Sequence, residues 1–144
     1  MLVRQILGMK DGGEVVTVRT GTSISEAAQL LSEKRIGAVV VMGDGPGPAG
    51  ILSERDIVRE LGRRGEACLS ETVDDLMTRE LVSCASDETA DQVLTKMSEG
   101  RFRHLPVLED GRMTGLISIG DVVKARLSEL AMEKDALEGM IKGF

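Results

Sequence analysis

Gly115–Leu–Ile–Ser–Ile–Gly–Asp121 reads as a short buried strand that runs straight into a helix. Leu116 and Ile117 supply the apolar strand end. Ser118 and the acidic Asp121 stand at the junction, at the spacing by which a hydroxyl caps a helix and a carboxylate favours its first turn. The same junction occurs sixty-five positions earlier, as Gly50–Ile–Leu–Ser–Glu–Arg–Asp56. A chain of 144 residues that carries strand–Ser–x–x–Asp–helix twice reads as a duplication.

The surroundings repeat as well. Ser23–Ile–Ser–Glu26 and, sixty-six positions on, Thr89–Ala–Asp–Gln92 both read as capping boxes that open a helix. The first such helix buries Ile24, Ala27, Ala28 and Leu31 and ends near Lys34; the second uses Val93, Leu94 and Met97. The apolar runs Ala38–Met42 and Leu105–Leu108 are too short for helices and read as strands. The turn chemistry of 43–48 and of Asp110–Gly111 sends each back, to Ala49–Ser53 and to Gly115–Ser118. Val15–Val18 and Leu81–Ser83 form a further matched strand pair. Met1–Met9 starts the chain as an amphipathic helix, matched by Val73, Leu76 and Met77, and Asp11–Gly12–Gly13 breaks it. Glu54–Arg63 is a helix with Ile57, Val58 and Leu61 inward, and 62–70 is a linker. Each half thus runs helix, strand, helix, strand, strand, helix. The fold class is α+β, with a small sheet covered by helices in each half. Halves of roughly sixty residues bury little surface alone, so they are expected to pair as one pseudo-two-fold unit. The expected divisions are 1–66, 67–127 and a helical extension 128–144.

Hydrophobic residues make up 42% of the chain, but aromatics only 1%, with no Trp or Tyr. The core is therefore aliphatic, and stacking platforms for single-stranded nucleic acid are lacking. A net charge of −6 argues against a nucleic-acid partner. No apolar run is long enough to cross a membrane, and no secretory signal is visible at Met1–Lys10. Cys68 and Cys84, sixteen positions apart, form neither a CxxC pair nor a disulfide framework, which fits a reduced, cytoplasmic setting. Cys68 lies in the polar linker and is expected to be accessible; Cys84 follows a strand and is expected to be buried. His104, the only histidine, has no companions for a metal site and no nucleophile partner for base catalysis.

The two junctions, together with Arg101–Phe–Arg–His–Leu–Pro–Val107, resemble a tandem pair of CBS domains, a Bateman module. The resemblance covers about residues 1–127. The wording of 117–124 and the tail Met140–Phe144 are further similar to stand-alone bacterial CBS pairs and to plant organellar CBS-only proteins. It implies a sensor that holds AMP, ADP, ATP, NAD or S-adenosylmethionine in a cleft between the paired domains. It also makes a thioredoxin one candidate for an otherwise unknown protein target.

By that resemblance Asp56 and Asp121 accept the vicinal hydroxyls of a ribose, through charge-assisted hydrogen bonds. The alternative is that each merely favours its helix N-terminus. Ser53 and Ser118 either cap those helices or bind phosphate, and the two roles are compatible because a helix N-terminus favours an anion. Basic residues before the Leu105 strand, Arg101, Arg103 and His104, are expected at phosphates. The first half has only Arg35 at the matching place, so one phosphate arm is rich and the other poor. Arg55 is a further phosphate candidate. Which ribose the Arg103–His104 arm serves is open, as is a solvated or dimer-facing role for these arginines. An adenine slot would be walled by Val16, Val18, Ile36, Met77, Val82 and Phe102, all equally explained as core.

The last helix differs from its counterpart. Val123, Leu127, Leu130, Leu137 and Ile141 fall on one seam, with Lys134 at the missing position. Either the seam folds back on the Leu2–Leu7 helix, or it is a homodimer contact with Lys134 setting register. The expected function is a non-enzymatic sensor with no catalytic cofactor and an adenine nucleotide as regulatory ligand. The alternative is a protein-interaction module with vestigial sites, acting through dimerisation. No P-loop or paired-carboxylate metal motif supports an enzyme.

Overall fold

Five strands and six helices follow one another in an order that nearly repeats, as the computed structural model shows; it describes residues 1–10 and 15–142. The elements are α1 (Val3–Gly8), β1 (Thr17–Arg19), α2 (Ile24–Lys34), β2 (Ala38–Met42), β3 (Pro48–Ser53) and α3 (Glu54–Arg64). After a 3-10 turn at Gly65–Ser70 come α4 (Val73–Leu76), α5 (Ala90–Gly100), β4 (His104–Glu109), β5 (Arg112–Ser118) and α6 (Ile119–Ile141). The mixed α+β class is as the sequence reading has it. The expected break at Asp11–Gly13 lies outside the described residues.

The chain forms two compact units, and they do not follow its halves. One gathers Met1–Gly13, Val82–Glu109 and Thr114–Phe144; the other gathers Glu14–Leu81 and Asp110–Met113. The N-terminal helix thus belongs in space with the second repeat. Val3 and Ile6 of α1 join Val93, Met97, Leu105, Val107, Ile117 and Val122 in one aliphatic core. Leu2 bridges Thr89, and the Val3 N–H donates to the Glu88 carbonyl at 2.8 Å.

In the other unit β2 is the central strand, parallel to β1 and antiparallel to β3, in the register Val40–Thr17 and Val40–Ile51. A central strand covered on both faces needs apolar side chains throughout, and Ala38 to Val41 are all buried. Ile24, Ala27 and Leu31 of α2 close one side of this core, with Leu52, Ile57, Val73 and Met77. Gly50 lets β3 approach Met77: a Cβ there would sit 2.5 Å from the Met77 Sδ and 2.9 Å from the Thr78 carbonyl.

Four sequence expectations change. Leu81–Ser83 forms no strand; an isolated parallel bridge between Cys84 and Val107 stands in its place. The one pair of ladder bonds is made by Cys84, whose N–H donates to the Pro106 carbonyl at 3.0 Å and whose carbonyl accepts from the Leu108 N–H at 2.9 Å. Val58 is 65% exposed rather than inward, because the helical period turns it away from the stripe of Ile57 and Leu61. Cys68 is fully buried, since the linker coils into a 3-10 turn that carries it inward. At α2 only half of the capping box forms: the Ser23 hydroxyl accepts from the Glu26 N–H at 3.1 Å, but no return bond from Glu26 accompanies it. At α5 both halves form, through Thr89 and Gln92.

Candidate functional site

Each Ser–x–x–Asp junction is a closed ring of hydrogen bonds at the N-terminus of a long helix. At α3 the Ser53 hydroxyl accepts from the Asp56 N–H at 3.2 Å, and Asp56 Oδ2 accepts from the Ser53 N–H at 2.9 Å. At α6 the same exchange links Ser118 and Asp121, at 3.1 and 2.8 Å. The duplication extends to the backbone. The N–H of Glu54 donates to the Gly37 carbonyl at 2.9 Å, and that of Ile119 donates to the Arg103 carbonyl at 2.8 Å. Each helix start is therefore tied to the residue that leads into the strand before last, β2 for α3 and β4 for α6. Sequence logic follows geometry here: an N-cap hydroxyl and an N3 carboxylate satisfy two donors that the helix leaves without partners.

The two carboxylates then diverge. Oδ1 of Asp56 accepts from Arg59 Nη2 at 2.8 Å, one turn along α3, so both of its oxygens are engaged within the helix start. Asp121 Oδ2 instead meets Lys10 Nζ at 2.9 Å, and Lys10 also donates to the Leu116 carbonyl at 3.0 Å. Oδ1 of Asp121 has no hydrogen bond among the described residues. Burial pushes the Asp121 carboxyl up. The Ser118 N–H and the Lys10 ammonium outweigh it, and the group sits below the usual aspartate range.

Beside Asp121 lies a cavity of about 290 Å³, lined by Ile6, Met9, Lys10, Asp121, Lys124 and Ala125. That is the lower end of the range for small-molecule pockets. It combines an apolar floor with one carboxylate and two ammonium groups. Such a wall can accept hydrogen bonds from a polyol and hold an anion at the same time. Lys10, Lys124 and Arg59 were not singled out in the sequence. Arg59 stands three residues from Asp56 and was legible as a helix neighbour. Lys10 lies far from Asp121 in the chain, and no local pattern announces it.

The other expected residues fall as follows. Arg35 and Arg101 are the C-caps of α2 and α5, both exposed and both in the left-handed conformation, at φ 54° and 59°. Arg55 and Arg103 are exposed, and the Arg103 main chain abuts the start of α6 as described. His104 is half-buried at the head of β4. Val16, Val18 and Ile36 pack half-buried on one core, with Met77 inside it; Val82 and Phe102 pack on the other. Cys68 and Cys84 are both free thiols and both buried. Burial and the nearby Glu88 carboxylate, against the opposing charge of Lys96, raise the Cys84 thiol to about 11. Neither thiol is accessible to solvent. Among the described residues no group of His, Cys, Asp and Glu is placed to hold a metal ion, and no helix is long and apolar enough to cross a membrane.

Comparison with known proteins matches the CBS-domain family model twice, at residues 3–63 and 73–128. The mitochondrial CBS domain-containing protein CBSX3 of Arabidopsis thaliana is 32% identical over 140 residues, covering 94% of this chain and 68% of the relative. A longer Arabidopsis protein, CBSCBSPB2, is 31% identical, but this chain spans only 23% of it. Among solved structures, the CBS-domain protein ATU1752 of Agrobacterium tumefaciens superposes with a TM-score of 0.82 at 46% identity, covering 88% of this chain and 99% of that one. The CBS domain pair of protein MJ0100, solved in complex with 5′-methylthioadenosine and S-adenosyl-L-methionine, superposes with a TM-score of 0.77 at 26% identity. It covers 90% of this chain and 98% of that one.

Proposed function

The chain belongs to the CBS-domain family, as two CBS domains in tandem, and from that premise we propose that it is a non-enzymatic regulatory module whose ligand contains adenosine. The observation that carries the reading is the Asp121 carboxylate, capped into place by Ser118 on the edge of a cavity that also holds Lys10 and Lys124. A ribose brings two adjacent hydroxyl donors, and Asp121 Oδ1 would accept from them while Oδ2 stays on Ser118 and Lys10. The ammonium groups, the α6 N-terminus and, from the sequence reading, Arg101, Arg103 and His104 suit a phosphate or carboxylate tail. The apolar lining suits the base. AMP, ADP, ATP, NAD and S-adenosylmethionine share these parts, and both ligands of the MJ0100 pair are adenosine derivatives. Binding that favours one arrangement of the module over another is a signal a protein target can read, as an energy sensor in the cytoplasm would require.

Thermal unfolding tests this. A ligand that binds the folded chain raises its melting temperature by mass action, by about 2.7 kcal/mol of stability at a hundred times its dissociation constant. At least one of AMP, ATP, NAD, S-adenosylmethionine and 5′-methylthioadenosine is expected to do so. Asp121→Asn keeps an acceptor for the Ser118 N–H but removes the charge, and is expected to lose most of the ligand-dependent rise relative to its own ligand-free value. An unchanged rise in Asp121→Asn would remove the ribose assignment.

A second reading, an interaction module with vestigial sites, draws support from Asp56, whose oxygens are both engaged by Ser53 and Arg59. It predicts flat melting curves across the whole panel.

A further inference from the structure

The two Ser–x–x–Asp junctions share a capping ring and differ in the cation that follows it. Sixty-five positions relate Ser53 and Asp56 to Ser118 and Asp121, and the same spacing relates Arg59 to Lys124. Each cation stands about one turn beyond its aspartate, on the same side of the helix. Arg59 turns back. Its Nη2 donates to Asp56 Oδ1 at 2.8 Å, while Asp56 Oδ2 accepts from the Ser53 N–H and hydroxyl at 2.9 and 3.0 Å. Lys124 makes no hydrogen bond or ion pair among the described residues and lines the cavity instead, and Asp121 Oδ1 stays open.

The cause lies in the helix packed on each junction. Leu2 bridges Thr89 and Thr72 bridges Ser23, so α1 and α4 are counterparts, each serving the unit to which it belongs. Eight residues beyond Leu2 stands Lys10, and eight beyond Thr72 stands Glu80. After α4 the main chain closes on β3: Thr78 and Ile51 exchange N–H and carbonyl, at 2.9 and 3.0 Å. After α1 the carbonyl that matches Ile51, that of Leu116, is met by the Lys10 ammonium at 3.0 Å, and the same ammonium reaches Asp121 Oδ2. In one unit a side chain thus does what main chain does in the other, and the cavity lies beside it. Asp121 receives its cation from tertiary packing and keeps Oδ1 open. Asp56 has an acid at the counterpart of Lys10, and its charge is met by the nearest cation on its own helix.

The Arg59 side chain is 58% exposed, and a pair of that kind is weak by itself. It still decides at this junction, because a guanidinium–carboxylate bond is charged at both ends and a ribose hydroxyl brings a neutral donor to the same oxygen. Resting on the adenosine reading above, we infer that the module takes one ligand per chain, at the α6 junction, and that Arg59 is the residue that closes the α3 junction to ribose.

Amide resonances of the isotopically labelled full chain, wild type and Arg59→Ala, followed through titrations with AMP and with 5′-methylthioadenosine, test it. Alanine suits an exposed helical position, and the α6 junction of the same variant reports whether its fold is kept. In wild type a saturable curve is expected at Ser118, Ile119, Gly120 and Asp121, with Ser53, Glu54, Arg55 and Asp56 unmoved at about ten times the half-saturating concentration. In Arg59→Ala the second group is expected to gain its own saturable curve with at least one of the two ligands, while the first keeps its midpoint within about twofold. Adding Asp56→Asn to Arg59→Ala is expected to remove the gain. Equal curves at both junctions of the wild type would overturn the inference and leave the adenosine reading standing. So would an α3 junction that stays silent in Arg59→Ala while the α6 junction saturates. Silence at both junctions in both proteins would overturn the adenosine reading and the inference with it.

Discussion

Lys10 is the residue on which the chemistry of the α6 site turns. Its ammonium holds Asp121 Oδ2 and a backbone carbonyl, and it lines the same cavity as the carboxylate. In the ligand-free chain it is a counter-ion; beside the anion of the proposed ligand it would become a ligand group. Lys10→Met is therefore expected to weaken ATP or AMP at least several-fold more than 5′-methylthioadenosine, which has no phosphate. Calorimetric titration of both ligands into both proteins checks this, and equal losses would place Lys10 outside the site. The Ser118 N–H and this ion pair together make ligand-free stability depend on acid. Asp121 sits below its unfolded value despite burial, so its contribution is present above about pH 4 and is lost as pH falls through the lower folded value. Urea midpoints measured from pH 6 to pH 3 are expected to fall more steeply in wild type than in Asp121→Asn. Parallel curves would mean that the Ser118 and Lys10 contacts to the Asp121 charge add nothing. Of this residue-scale detail the sequence shows only the Ser–x–x–Asp part. Capping is local, within one turn, and so leaves a local pattern; the Lys10 contact is made by tertiary packing across most of the chain and leaves none.

At the scale of elements, the return strand and its helix form one device, made twice. Gly50 and Gly115 open the two copies, and both are close-approach positions. The nearest atoms to a Cβ at Gly115 belong to the Leu7 side chain, at 2.8 Å, which has rotamers to yield. A Cβ at Gly50 would meet the Thr78 carbonyl as well as Met77, and the backbone is held by the Ile51–Thr78 bridge. Gly50→Ala is accordingly expected to cost about 1–3 kcal/mol, and Gly115→Ala clearly less, by urea unfolding; the reverse order would refute this packing. These elements were legible because each carries its own punctuation: a capping hydroxyl, a turn, an apolar run of strand length. The failures have the same cause. Leu81–Ser83 has strand-like residues, yet the single bridge to Val107 is made by Cys84 just after it, and Val58 looks apolar in sequence while the helix phase turns it out. Cys68 is buried by a 3-10 turn that a polar linker composition conceals.

At the scale of the whole molecule, the repeat in the sequence and the units in space partition the chain differently. The family match follows the repeats, at 3–63 and 73–128, whereas α1 packs into the unit built from the second repeat. Duplication is readable because it is written in order along the chain. The placement of α1 is not, because its apolar face fits an aliphatic core of either half and only the tertiary fold chooses. The placement has a functional consequence: it is α1 that brings Ile6, Met9 and Lys10 to Asp121. The start of α6 is thus the proposed place for an adenosine ligand. Amide chemical shifts of the isotopically labelled full chain, followed through titrations with AMP, ATP, NAD, S-adenosylmethionine and 5′-methylthioadenosine, test that most directly. The account predicts that at least one of these moves the amides of Ser118, Ile119, Gly120 and Asp121, together with Lys10, along one saturable curve. Saturable binding that leaves those amides in place and shifts others instead, or no shift with any of the five at millimolar concentration, would contradict it.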